Sequence, residues 1–145
     1  MKTPKDGAPV PPERSILRLP TPPPDIEPDD YVSSGAFFVL GSEERDGNGR
    51  LSVRDEALTS VAQARGFRDA PDVIVLRGQC ADVLEAGATN DKDVQVVYEP
   101  PSASIAGKPG ADGHAGIVGL RRPKGGNRTE YRALRDAIAD CFDLV

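Results

Sequence analysis

The chain has 145 residues, which is room for one domain and enough to bury a core without disulfides or metals. Its hydrophobic share is 38%, Trp is absent and aromatics reach only 5%, so the core must rest on Val, Ile, Leu and Ala. A net charge of −5 opposes long-range attraction to phosphate backbones and argues against a general nucleic-acid binder. Two cysteines, Cys80 and Cys141, are too sparse for a disulfide framework and read as reduced thiols. Lys2 and Lys5 are followed by no apolar run, so the start does not read as a secretory signal. No run reaches membrane-spanning length, and the expected location is the cytoplasm.

Nine of the 14 prolines fall within residues 1–28. Each removes an amide donor and fixes φ, so this stretch reads as an extended or partly disordered leader, with Pro22-Pro23-Pro24 in polyproline II. Inside it, Ser15-Ile16-Leu17-Arg18-Leu19 is a short apolar run suited to an edge strand or a strap. Residues 29–145 read as one domain. Ala36 to Leu40 is a buried-strand pattern closed by Gly41, and a polar loop follows over 42–49. Val53, Ala57, Leu58, Val61 and Ala62 recur at helical spacing. They predict a helix capped by Ser52, with Asp55 and Glu56 in its first turn, running to about Arg65 and stopped by Gly66.

Val73-Ile74-Val75-Leu76 is continuous, β-branched and apolar, as a central strand requires. Cys80 to Ala86 fits a short helical turn. Val94 to Tyr98 is a strand ended by Pro100-Pro101, residues 102–113 form a Gly/Ser/Pro loop, and Ala115 to Leu120 is a fourth strand. A basic loop from Arg121 to Arg128 leads into a C-terminal helix from about Thr129 to Phe142. Tyr131, Leu134, Ile138 and Phe142 form its apolar stripe, and Cys141 lies on its inner face. The expected fold is therefore α+β: a small mixed or antiparallel sheet of about four strands, two main helices and a Pro-rich N-terminal extension.

Four groups of residues carry candidate chemistry. Glu44, Asp46, Asn48, Ser52 and Asp55 stand at positions one, three, five, nine and twelve of an EF-hand-like calcium loop, with Gly49 at the sharp turn. The first ligand is Glu rather than Asp, the twelfth is the shorter Asp, and a strand stands where the entering helix belongs. A polar Asp-Gly-Asn-Gly turn is the plainer reading. No cofactor is expected, and Ca2+ is the one ion the string would suit. His114 is the sole histidine, a general acid or base near neutral pH or else a capped or solvent-facing residue; the lack of another histidine and of a nearby cysteine argues against a zinc site. Arg121, Arg122, Lys124 and Arg128 form a basic cluster able to meet a phosphate or an acidic partner, or simply a solvated loop. Ser33-Ser34 opens a strand or offers a hydroxyl pair. Gly107-Lys108-Pro109-Gly110 has the wrong spacing for a phosphate loop, and no Gly-x-Ser-x-Gly or Cys–His pair stands out.

Taken in order, Arg18, a Pro-rich spacer, Ser33-Ser34-Gly35-Ala36-Phe37, Leu51-Ser52-Val53 and His114-Ala115-Gly116-Ile117-Val118-Gly119 form a pattern over most of residues 16–120. The pattern resembles a group of small uncharacterised bacterial proteins that share an Arg, a Ser-Ser-x-Ala-Phe segment, a Ser-Val and a late His-Ala-x-x-x-Gly. The resemblance implies that the segment between Phe37 and Ser52-Val53 is a variable spacer, so that the calcium-like string is an accident. The order of an Arg followed by Ser-Ser on a strand is also similar to the ADP-ribosyltransferase arrangement. That resemblance implies dinucleotide binding by Arg18 and Ser33/Ser34; His114 stands where that family has a late Glu, and neither Glu99 nor Glu130 matches a clean motif.

These readings favour a protein-binding, non-catalytic component of a bacterial multi-protein system, of a defence or toxin-related kind. The alternative is an enzyme acting on a nucleotide or nucleic acid, with Arg18, Ser34 and His114 converging in one pocket. A calcium-binding loop at residues 44–55 is the third reading.

Overall fold

The structure is a computed structural model that describes residues 6–19, 51–68, 75–99, 113–120 and 125–145. The described chain is α+β, with three helices and an open, fully antiparallel sheet of six strands. In chain order these are β1 (Ser15–Arg18), β2 (Leu51–Asp55), α1 (Val61–Arg68), β3 (Leu76–Gln79), α2 (Cys80–Thr89), β4 (Gln95–Tyr98), β5 (His114–Val118), α3 (Arg128–Ala139) and β6 (Phe142–Leu144). The strand order across the sheet is β4-β5-β2-β1-β3-β6.

Side chains alternate between the two faces of a strand, and residues paired across a ladder share a face. On one face Ile16, Val53, Leu76, Val96, Tyr98, Ala115 and Ile117 pack with Cys80, Val83, Leu134 and Ile138 of α2 and α3 to form the main core. On the other, Leu17, Leu19 and Val75 pack with Ala64 and Val61 of α1.

The sheet is larger than the sequence pattern suggests, and its extra strands come from three places: the N-terminal segment, the C-terminus and the stretch expected to be a helix from Ser52. Ser15–Arg18 is neither an edge strand nor part of a detached leader. It lies between β2 and β3, and Ile16 and Leu17 are fully buried on opposite faces. The domain therefore does not begin at residue 29. Residues 7–10 also belong to it, along the outer edge of β4: Gly7 N donates to Tyr98 O at 2.8 Å, Tyr98 N to Ala8 O at 2.8 Å, and Val10 N to Val96 O at 2.9 Å. The second source is the C-terminus, where the helix stops at Ala139 and Phe142 enters β6 opposite Gly78. Cys141 accordingly lies in the turn after α3, with its thiol donating to Ala137 O at 3.3 Å.

The predicted helix from Ser52 is replaced by a strand, a turn and a later helix. Leu51, Val53 and Asp55 also alternate with Ser52 and Arg54, and pairing with β5 buries the first set. The helix begins only at Val61, where Ser60 and Gln63 form a capping box. Gln63 N donates to Ser60 Oγ at 3.2 Å, and Ser60 N to Gln63 Oε1 at 2.9 Å. Gly66 does not stop α1, which continues to Arg68. Of the strand expected at Val73–Leu76, residues 73 and 74 lie outside the described residues; β3 runs from Leu76 to Gln79, and the short turn after it is a ten-residue helix. No side chain caps α2. Its first amides are met instead by carbonyls of the N-terminal segment: Cys80 N donates to Arg14 O and Ala81 N to Pro12 O, both at 2.9 Å. Asn127 caps α3 by accepting from Glu130 N at 3.1 Å. The proposed strand at Ala36–Leu40 lies outside the described residues.

Candidate functional site

β2, β5 and β4 lie side by side in the sheet, and on the α1 face they bring together Ser52, Arg54, His114 and Glu99. Gly113 sets up the entry to β5. It holds φ at +72°, and a Cβ there would lie 2.8 Å from Leu58 Cβ, so a side chain is excluded on both counts. His114 follows directly, opposite Arg54 in the ladder. One ring nitrogen, Nδ1, lies 3.2 Å from the Glu99 carbonyl oxygen and 3.9 Å from its carboxylate Oε2. The other, Nε2, lies 3.4 Å from Ser52 Oγ.

These partners assign the tautomer. A carbonyl oxygen only accepts, so Nδ1 carries the proton and donates it to Glu99 O. Nε2 then presents its lone pair to the Ser52 hydroxyl, which donates. The Glu99 carboxylate stands where it stabilises the ring once Nε2 is protonated. A hydroxyl facing an imidazole that is oriented from behind is the geometry of an activated oxygen nucleophile. Arg54 is buried, and its cationic side chain shares this face.

Arg18 does not join this group. The ladder pairs it with Leu76, whose side chain is in the α2–α3 core, so Arg18 and His114 point to opposite faces. Arg18 is fully buried and donates from Nη1 to the Ser52 carbonyl at 3.1 Å, holding the backbone of β2 from behind. The pocket expected from Arg18, Ser34 and His114 is therefore not formed around Arg18; Ser34, with Ser33, lies outside the described residues. The reason is parity: a one-residue offset along a strand turns a side chain to the other face.

The calcium reading loses its twelfth ligand. Asp55 is fully buried and committed to protein groups. Its Oδ2 accepts from Arg14 Nη1 at 3.0 Å and from Tyr98 Oη at 2.5 Å, while its Oδ1 accepts from Ala57 N at 3.0 Å. Asp55 also ends a strand rather than opening an exiting helix. Glu44, Asp46 and Asn48 lie outside the described residues. Among the described residues no group of three or more His, Cys, Asp or Glu side chains is placed to hold a metal ion, and no helix is long and apolar enough to cross a membrane. Arg128 is exposed at the start of α3; Arg121, Arg122 and Lys124 lie outside the described residues.

Burial raises both thiols, Cys80 and Cys141 each to about 11, so neither is a ready nucleophile near neutral pH. The Tyr98 hydroxyl is also pushed up, first by burial and then by the Asp55 carboxylate it bonds. Glu130 pairs with Lys92 at 3.4 Å on the surface, far in role from Glu99.

Two members of the cluster carry signals in the sequence that a helical reading of residues 52–65 conceals. Ser52 and Arg54 alternate with Leu51, Val53 and Asp55, which marks them as one face of a strand. Glu99, at the end of a strand, acquires meaning only through its neighbour in β5. No known protein family, curated protein or solved structure matches the chain.

Proposed function

We propose that this protein is an enzyme acting on a phosphate-bearing substrate of the nucleotide class, with His114 as general base and Ser52 as the hydroxyl it deprotonates. The observation that carries this reading is the placement of the His114 ring between the Ser52 hydroxyl and Glu99. His114 Nε2 takes the Ser52 proton as the oxygen attacks, and Glu99 holds the ring and offsets the imidazolium charge. Arg54 adds positive charge to this face, which favours an anionic substrate over a cationic one.

The test needs no substrate. A fluorophosphonate should phosphonylate Ser52: the Oγ–P bond forms, fluoride leaves, and the hydroxyl proton passes to His114. Peptide mass spectrometry should find the adduct on Ser52, and His114→Gln should slow labelling by on the order of a hundredfold. A nucleoside monophosphate should protect. An unlabelled Ser52, or equal labelling in the variant, refutes the enzyme; labelling without protection refutes the substrate class.

A second reading, a protein-binding component of a bacterial multi-protein system of the defence or toxin-related kind, is favoured by the edge strand β6. There Leu144 and Val145 are 37% and 39% exposed, beside a cavity of about 250 Å³ that is also lined by Arg77, Gln79, Asp82 and Cys141. A stoichiometric partner retained by the native chain and lost with Leu144→Asp supports it; retention by both chains removes this edge from the argument.

A further inference from the structure

Directly behind the His114 site, on the core face, lies a second polar group that the proposed chemistry does not use. Asp55, fully buried, accepts from Tyr98 Oη and from Arg14 Nη1 on the same oxygen. Asp55 follows Arg54 on β2, and Tyr98 precedes Glu99 at the end of β4. β5, carrying His114, runs between those two strands. The Asp55–Tyr98 bond thus bridges β2 and β4 across β5, on the face opposite His114. The backbone closes the same end of the sheet, since Asp55 N donates to Gly113 O at 2.9 Å and Glu99 N to His114 O at 2.8 Å.

Arg14 brings the N-terminal strap into this bridge. Residues 7–10 run along the outer edge of β4, and the carbonyls of Pro12 and Arg14 cap α2. The Cys80 thiol also donates to Val10 O at 3.7 Å. The strap therefore touches β4, α2 and, through the Arg14 guanidinium, β2. A charge-assisted hydrogen bond to a buried carboxylate is stronger than a neutral one, and it fixes where that carboxylate sits. The Arg14 side chain is 36% exposed, which leaves it within reach of solvent and of anything that competes for it.

We propose that Arg14, Asp55 and Tyr98 form a positioning clamp through which the N-terminal strap holds Ser52, Glu99 and His114 in contact. Loosening the clamp lets β2 and β4 shift relative to β5. The His114 ring then loses the Glu99 carbonyl that selects its Nδ1–H form. None of the three touches the reacting atoms, so all are positioning residues. The inference rests on the enzymatic reading for its purpose, though not for its geometry.

The sole histidine makes the test direct, because its ring nitrogens give one pair of resonances. Long-range 1H–15N correlation on the full chain should show the neutral ring in the Nδ1–H form. In Arg14→Leu, which keeps the stem and removes the donor, the Nε2–H form preferred by a free imidazole side chain should rise several-fold. Tyr98→Phe should do the same, and Arg14→Lys should restore the native ratio. If Tyr98→Phe fails to fold, the partly exposed Arg14 carries the test. Variants that lose thermal stability but keep the native tautomer ratio overturn the clamp. A shifted ratio together with an unreactive native Ser52 leaves the clamp standing and removes the enzymatic reading; a reactive Ser52 with an unmoved ratio does the reverse.

Discussion

The two faces of the sheet use the same strands for different ends. The α2–α3 face is aliphatic and closed: Ile16, Val53, Ala115 and Ile117 are fully buried against Val83, Leu134 and Ile138. The α1 face has a small apolar patch of Leu17, Leu19, Ala64 and Val75 at one side and a polar group, Ser52, Arg54, His114 and Glu99, at the other. The difference shows a division of labour built on strand alternation. The α2–α3 face carries most of the buried apolar side chains, while Ser52, His114 and Glu99 on the other face stay partly exposed. Two polar groups intrude on the core face, Arg18 and the set of Asp55, Tyr98 and Arg14, and the second sits behind the polar group of the other face.

The largest expected effect falls on the core face. Leu134→Ala should cost about 2–5 kcal/mol in urea unfolding, through lost transfer energy and the cavity left under α3. His114→Gln on the other face should cost less than about 1 kcal/mol while abolishing most Ser52 labelling. Similar costs for the two would break the comparison. Alkaline unfolding sharpens it. Cys80, on the core face, has its folded-state pKa raised from 9.0 to about 11 by burial. Its contribution is fully present below pH 9 and is lost as pH rises through about 11, because the unfolded chain releases the proton first. Thermal melts should therefore fall over that window, and Cys80→Ala should flatten the decline. A decline unchanged in the variant would locate it in other groups. The smallest effect on the site is at α1, the short helix on the polar face. Ser60→Ala removes half of the capping box and should cost about 1 kcal/mol by chemical denaturation, with Ser52 reactivity unchanged. A larger loss would mean that α1 contributes more to the fold than its apolar patch suggests.

Several elements were legible in the sequence. The strand at Val94–Tyr98, the strand beginning at Ala115 and the helix with its Leu134–Ile138 stripe are each dictated by strong local periodicity. Residues 51–65 were not. Their apolar positions satisfy both a helical and an alternating pattern, and pairing with β5 selected the strand for the first five. Ser15–Arg18 was obscured by the prolines around it, although nothing local forbids an interior strand there. For the site, His114 is conspicuous in the sequence as the lone histidine, while the local pattern around Ser52 suits a helix cap and nothing near Glu99 in the chain points to its partner.

The sequence by itself determined the class of the fold, an aliphatic core and a single histidine, because composition and periodicity are local properties of the chain. Only the tertiary structure decided which residues meet. Arg18 and His114 share the pattern that suggested one pocket, yet strand parity sends them to opposite faces. Ser52 and His114, 62 positions apart, come within 3.4 Å because β2 and β5 pair in one register and not the next. Register is a property of two strands together, set by which set of side chains the core can bury, and neither strand encodes it alone.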